Sequence, residues 1–447
     1  MKQVVALFGG AVSGAEAAAQ LAERGIRVIV FDQNKLPYGK IEDGLPKWHV
    51  KLRNQEEAKI DQKLDHPLIT FVPGVRLGRD LDFQDVVENW GFSAVILAIG
   101  AWRDRPLPIP GIDEYRGKGL YYQNNFIYWF NHFHEPDYAY PDCEHPDGTI
   151  VIGGGLASID VCKALMMLNV QQRLKALGHS IPLLDFHFGI DKVLNKLGLT
   201  FEALDLKACT LYYRRRIKDM PLSPVPPSDA TSLEKVESIR EKILETARSR
   251  FLFQVKPLHS PIDKIVSDDR LVGLKFVENR WENGAITPVP DSEKEVKAPL
   301  VIASIGSLPE SIPGIPMQYH VYDLGDENCC RIKGYPHVFA IGNAVTGRGN
   351  INESLKHSQE VTLKIVDQLI ESDEKRFEDT LQRAELSAKD KISNFIEYIA
   401  EFPAPSETQW RRIEKMVADF HLKNAYTGSY QDWIAKNRPV RLEDMTE

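Results

Sequence analysis

Sulfur chemistry has little to work with in this chain. Its 447 residues contain five cysteines, Cys143, Cys162, Cys209, Cys329 and Cys330, too scattered for a disulfide framework, a zinc site or an iron–sulfur cluster. The adjacent Cys329 and Cys330 leave a vicinal redox pair conceivable, but no C-x-x-C dithiol is present, so electrons are not expected to pass through the protein's own thiols and no resident metal is expected. No stretch approaches the roughly 18 continuous apolar residues of a membrane span. The N-terminus has neither an arginine-rich leader nor a signal-peptide pattern, so a soluble, cytoplasmic protein is expected. The net charge of −8 argues against general nucleic-acid binding. No low-complexity tract occurs.

Two glycine turns stand out against this ordinary background, each where an apolar strand hands over to a helix. The first is Gly9-Gly10-Ala11-Val12-Ser13-Gly14 after the run Val4-Val5-Ala6-Leu7-Phe8; the second is Gly153-Gly154-Gly155-Leu156-Ala157-Ser158 after Ile150-Val151-Ile152. Such turns bring backbone N–H groups and a helix N-terminus up to a pyrophosphate. Two of them imply two bound nucleotides, and two nucleotides imply electron transfer from one to the other.

The first unit reads as strand 4–8, helix 15–24 stopped by Gly25, and strand 28–31. Asp32 follows eighteen positions after Gly14, close to the roughly 20 expected of the acid that binds a ribose hydroxyl. A strand-end Asp is also a common turn residue. A second buried-strand run, 93–101, ends in the small residues Gly100 and Ala101 and leads into the stiff stretch Pro106-Leu107-Pro108-Ile109-Pro110-Gly111, suited to a crossing between domains. The second unit adds helix 159–168 and strand 210–213. Residues 300–306 repeat the apolar-then-glycine pattern of 94–100. A proline loop over 221–227 precedes a helix at 232–250; a short strand at 338–342 precedes a glycine-rich turn and a helix over 353–370, and the tail beyond 371 is charged and helical in pattern. The length allows about two or three domains.

Arg214 and Arg215 lie at the end of strand 210–213. A guanidinium fork there can grip the 2′-phosphate that separates NADPH from NADH. One charge-assisted hydrogen bond is worth about 1.5 to 3 kcal/mol, enough for about tenfold preference. A solvated basic loop is the plainer alternative. Arg240, Lys242, Arg248 and Arg250 can face an acidic protein, but Glu237, Glu241 and Glu245 are interleaved with them, which favours a solvated helix.

Taken with the segment Leu36-Pro37-Tyr38-Gly39-Lys40-Ile41-Glu42-Asp43-Gly44-Leu45-Pro46, the motif Tyr213-Arg214-Arg215 before Met220-Pro221, and Trp410-Arg411-Arg412-Ile413-Glu414, the chain resembles adrenodoxin reductase, the ferredoxin–NADP reductases of that type and the small subunit of glutamate synthase. The resemblance covers most of residues 3–370. It implies an α/β fold of two Rossmann-like dinucleotide-binding domains: an FAD domain from 1–112 and 313–447, with a helical extension from about 371, and an NADPH domain over 113–312. It implies hydride transfer from NADPH to FAD, then single electrons to an iron–sulfur protein such as a ferredoxin. A flavoprotein subunit of a larger synthase, or a nucleotide-binding protein without turnover, are the alternatives.

The resemblance also carries individual residues. Gly9, Ala11, Gly14, Asp32, Gly39, Lys40, Ile41, Gly100, Gly342, Asn343, Gly349, Asn350 and Ile351 would hold FAD; Gly153, Gly155, Leu156, Ser158, Arg214 and Arg215 would hold NADPH. Ala11 departs from the family, where glycine stands, and Asn343 stands where relatives carry aspartate or tryptophan. His49 and Asp160 align with a histidine and an aspartate beside the flavin, where such a pair can relay a proton. Read from sequence alone, His49 is more simply a surface residue and Asp160 a complement to its helix dipole.

Overall fold

The computed structural model describes residues 2–222, 230–282, 284–326, 330–345 and 373–445. The prolines at 224, 226 and 227, Cys329, Gly347, Gly349, Asn350, Ile351 and the helix expected at 353–370 lie outside them.

Two sheets organise the chain. The first has seven strands in the order β18-β19-β20-β4-β1-β2-β3, built from β1 (Val4–Phe8), β2 (Arg27–Asp32), β3 (Ile69–Pro73) and β4 (Ala94–Leu97), with β18 (Leu324–Asp326), β19 (Arg331–Ile332) and β20 (Val338–Ala340) returning from far along the sequence. The second is a five-stranded parallel sheet in the order β6-β14-β7-β8-β9, from β6 (Leu120–Tyr122), β7 (Ile150–Gly153), β8 (Thr210–Tyr213), β9 (Gln254–Pro257) and β14 (Val301–Ser304). Short strands β5 (Arg103–Asp104) and β15 (Ser307–Leu308) pair antiparallel, so the two crossings between the sheets lie side by side.

The unbroken apolar runs become strands covered on both faces, the usual state of a parallel sheet. In β1, Val5 and Leu7 enter one core while Val4, Ala6 and Phe8 enter the other. In β7, Val151 faces one core of the second sheet and Ile150 and Ile152 face its opposite.

Helices α1 (Val12–Glu23) and α3 (Val50–Leu64) cover one face of the first sheet, together with the C-terminal helix Asp373–Glu401, which places Ile392, Phe395 and Ile399 in that core. Helix α4 (Phe83–Asn89) and the C-terminal helix Glu407–Lys423 cover the other. Trp410 and Arg412 sit on this last helix, where Arg27 stacks on Trp410 at 5.0 Å and Arg412 on Trp90 at 4.9 Å. The short α2 (Lys40–Asp43) bridges toward the second sheet, whose first face carries α5 (Gln123–His132), α6 (Leu156–Ala176), α7 (Ile190–Leu197) and α8 (Ala230–Phe251). Its second face is covered by a meander, β10 (His259–Ser267), β11 (Arg270–Glu282), β12 (Ala285–Pro288) and β13 (Lys294–Lys297). Among the described residues no helix is long and apolar enough to cross a membrane.

Helix boundaries depart from the sequence expectations. Helix α1 starts at Val12 rather than 15, because Ala15 N–H already bonds to Ala11 O at 2.8 Å. Helix α6 runs on to Ala176 because it is buried nearly all round as far as Val170, so no change of polarity marks an end.

Candidate functional site

The first turn is shaped by close approach. Gly9 has φ +99°, and a Cβ on Gly14 would collide with the Gly9 carbonyl, so α1 packs directly against the end of β1. Ala11 is the residue before the first helical turn, extended at φ −71° and ψ −165°. Its methyl faces Gly39, where a Cβ would lie 3.0 Å away.

A cleft opens at this helix N-terminus, with roughly 1110 Å³ of empty space, part of it open to solvent. Gly9, Ala11, Asp32, Gly39, Lys40, Ile41, Gly100, Gly342 and Asn343 all line it, whereas Gly14 lies behind, in the contact between helix and strand. The structure adds Trp102, Arg76, Glu310, Ile312 and Leu381, none of which carried a motif. Arg76 Nη2 and Glu310 Oε2 pair at 2.6 Å on its wall.

Asp32 is buried at the end of β2, where its Oδ2 accepts from Gly10 N–H at 2.8 Å and its Oδ1 from Asn34 N–H at 2.9 Å. Burial pushes its carboxyl up to about 6, against those two hydrogen bonds, which favour the ionised form. Lys40 enters from α2. Its Nζ donates to Asn124 Oδ1 at 3.1 Å and Ser307 Oγ at 3.2 Å and sits 5.4 Å from the Trp102 ring. Burial holds its pKa below the ordinary value, partly offset by Asp104, which burial in turn raises to about 6.

The second turn opens the five-stranded half in the same way. A Cβ on Gly154 would strike the Tyr213 ring, but one on Gly155 would meet nothing within 4 Å, so Gly155 borders free space at the start of α6. Leu156 begins that helix, and Ser158 Oγ donates to Gly155 O at 2.6 Å. Beyond β8, Arg214 and Arg215 are exposed. The basic side of α8 is partly committed elsewhere: Arg240 donates to Lys218 O at 2.9 Å, and Arg248 pairs with Glu245.

His49 and Asp160 are both buried, so the surface placement that sequence alone favours for His49 is corrected. Trp48, packed on Phe130 in the core of the second half, donates from Nε1 to His49 Nε2 at 2.9 Å. Lys163 lies 6.0 Å from the Trp48 ring and 3.5 Å from Asp160 Oδ1.

Around Glu42 of α2 lies a charged cluster whose partners, apart from Glu42 itself, lie outside the motifs. Glu42 pairs with Lys47 at 2.7 Å and with Arg441, whose other nitrogen is 2.7 Å from Glu57; Arg53 meets Glu443. Leu442, beside Arg441, packs against the core of the second half, so this segment straps the two halves together.

Residues 3–187 match the pyridine nucleotide-disulphide oxidoreductase family. The chain is 24% identical to an NADPH-ferredoxin reductase, FprA, of Mycobacterium leprae, over 82% of this chain and 83% of that protein. It is 29% identical to the mitochondrial NADPH:adrenodoxin oxidoreductase of Arabidopsis thaliana across 32% of this chain, a match spanning only 29% of that relative's length. Its fold matches that of Mycobacterium tuberculosis FprA in complex with NADPH with a TM-score of 0.66, at 18% identity, covering 95% of this chain and 91% of that one. The chain is thus similar in sequence to an NADPH-ferredoxin reductase and an NADPH:adrenodoxin oxidoreductase, and its fold is that of the former.

Proposed function

We propose that this chain is an FAD-dependent oxidoreductase that takes electrons from NADPH and delivers them singly to a protein acceptor of the ferredoxin type. The carrying observation is the pairing of two strand–turn–helix units, one opening on a deep cleft and the other on free space beside exposed arginines. In this assignment residues 1–112 and 313–447 form the FAD domain and 113–312 the NADPH domain.

The cleft fits a dinucleotide. The N-terminus of α1 faces it, Asp32 supplies an acceptor for a ribose hydroxyl, and Lys40 brings a half-buried ammonium to one wall. FAD, when bound, supplies the conversion of a two-electron hydride into single electrons. The protein's part is placement and proton handling. Gly155 and the N-terminus of α6 receive the pyrophosphate of NADPH, and Arg214 and Arg215 receive its 2′-phosphate. His49 and Asp160 hold and move a proton.

Purified protein should show flavin absorption, bleached anaerobically by NADPH and far more slowly by NADH. Cytochrome c reduction should depend on added ferredoxin. Protein that stays colourless after incubation with FAD would remove the enzyme assignment and leave a nucleotide-binding protein without turnover.

A further inference from the structure

Three consecutive arginines follow β8, and the structure treats each differently. Arg216 is committed: its Nε and Nη2 both bond to Asp219 at 2.8 Å, and its guanidinium lies 4.4 Å from the Trp281 ring. Arg214 and Arg215 have exposed side chains with no hydrogen bond or ion pair among the described residues, yet their main chain is pinned. Asn279 Nδ2 donates to Arg214 O at 2.9 Å, and Leu258 N–H donates to Arg215 O at 3.1 Å. Leu258 is itself held by Asn279, whose N–H bonds to Leu258 O at 2.7 Å. That bond keeps Leu258 in a left-handed conformation, φ +59°, which a leucine adopts only under constraint.

Asn279 and Trp281 lie two residues apart on β11, hence on one face of the strand. Asn279 is buried, and its amide also donates to Ser260 Oγ at 2.8 Å. The near part of β11 is anchored by Leu271, Leu274 and Phe276 in the core under the five-stranded sheet. The meander therefore carries a rigid arm from that core to the arginine turn.

We propose that Asn279 and Trp281 form a clamp that sets the preference for a 2′-phosphorylated nucleotide, by fixing the main chain of Arg214 and Arg215 so that binding has only their side chains left to order. Both are positioning residues acting through the arginines, and Arg216 is a support rather than a phosphate ligand. This rests on the NADPH assignment above and identifies what maintains it.

The test is calorimetric titration of the full flavin-loaded chain with two probes, adenosine 2′,5′-bisphosphate and adenosine 5′-monophosphate. Asn279→Ala and Trp281→Leu should each weaken bisphosphate binding about tenfold, the worth of one charge-assisted hydrogen bond, and leave monophosphate binding unchanged. Trp281→Phe, which keeps a ring under Arg216, should retain the wild-type ratio and shows that the strand still folds. If both probes weaken in parallel, the two residues merely support the fold and the clamp is overturned. If wild type prefers the bisphosphate and the variants keep that preference, the clamp is overturned while the NADPH assignment stands. A wild type that binds both probes equally would remove the NADPH assignment and the clamp together.

Discussion

Asp32 gives a sharp test of how the first turn is held. Its folded pKa of about 6 lies above the ordinary 3.8, so the folded state holds this proton more tightly than the unfolded chain does. Its ionisation therefore disfavours folding progressively as pH rises from about 4 to about 6, by roughly 3 kcal/mol once pH 7 is reached. Asp32→Asn escapes that penalty because an amide cannot ionise. It also offers a single acceptor oxygen to two backbone donors, Gly10 N–H and Asn34 N–H, and the donor left over costs about 1 to 3 kcal/mol at every pH.

The variant should thus be the weaker protein at pH 4 and close the gap, or overtake wild type, by pH 7.5. Urea unfolding of both proteins, free of added nucleotide and followed by tryptophan fluorescence, measures the difference, in which the other titrating groups cancel. A difference that stays constant with pH, or one in which wild type gains as pH rises, would show that the two hydrogen bonds, not burial, govern this carboxylate.

Two further outcomes follow from contacts described above. Arg441→Leu strips Glu42 and Glu57 of a shared partner and should destabilise the protein by about 3 to 5 kcal/mol in thermal or chemical unfolding, and adding Glu57→Leu should recover part of that loss; a single variant as stable as wild type would refute the strap. Ala11→Gly removes the methyl that faces Gly39 and should tighten FAD binding in fluorescence titrations, while Ala11→Val should weaken it; the reverse order would mean the cofactor path avoids this wall.

The sequence exposed what depends on neighbours along the chain. The runs at 4–8 and 150–152 announced buried parallel strands, and the glycine turns announced the helix starts behind them. Other features depend on distant partners and left no local trace. Arg214, Arg215 and Arg216 are identical in sequence; only Asp219, Trp281 and Asn279 give them different fates. Glu42 lies inside the segment 36–46 on which the resemblance rests, yet its carboxylate is taken by Lys47 and by Arg441, almost 400 residues away. Lys40 likewise finds Asn124 and Ser307 across the crossing strands, a pairing no spacing rule could forecast. In the meander, Asn279 bonds to Arg214 O and Trp281 packs on Arg216, contacts to another sheet that leave no local pattern.

The strand order of the seven-stranded sheet also sets a timetable for synthesis. Strand β4 lies between β1 and β20, so that sheet cannot be completed until residue 340 has left the ribosome. All five strands of the other sheet lie between Leu120 and Ser304. The later-starting half is therefore finished first, while the earlier one waits with the edge of β4 unpaired and open to chaperones or to a wrong partner strand.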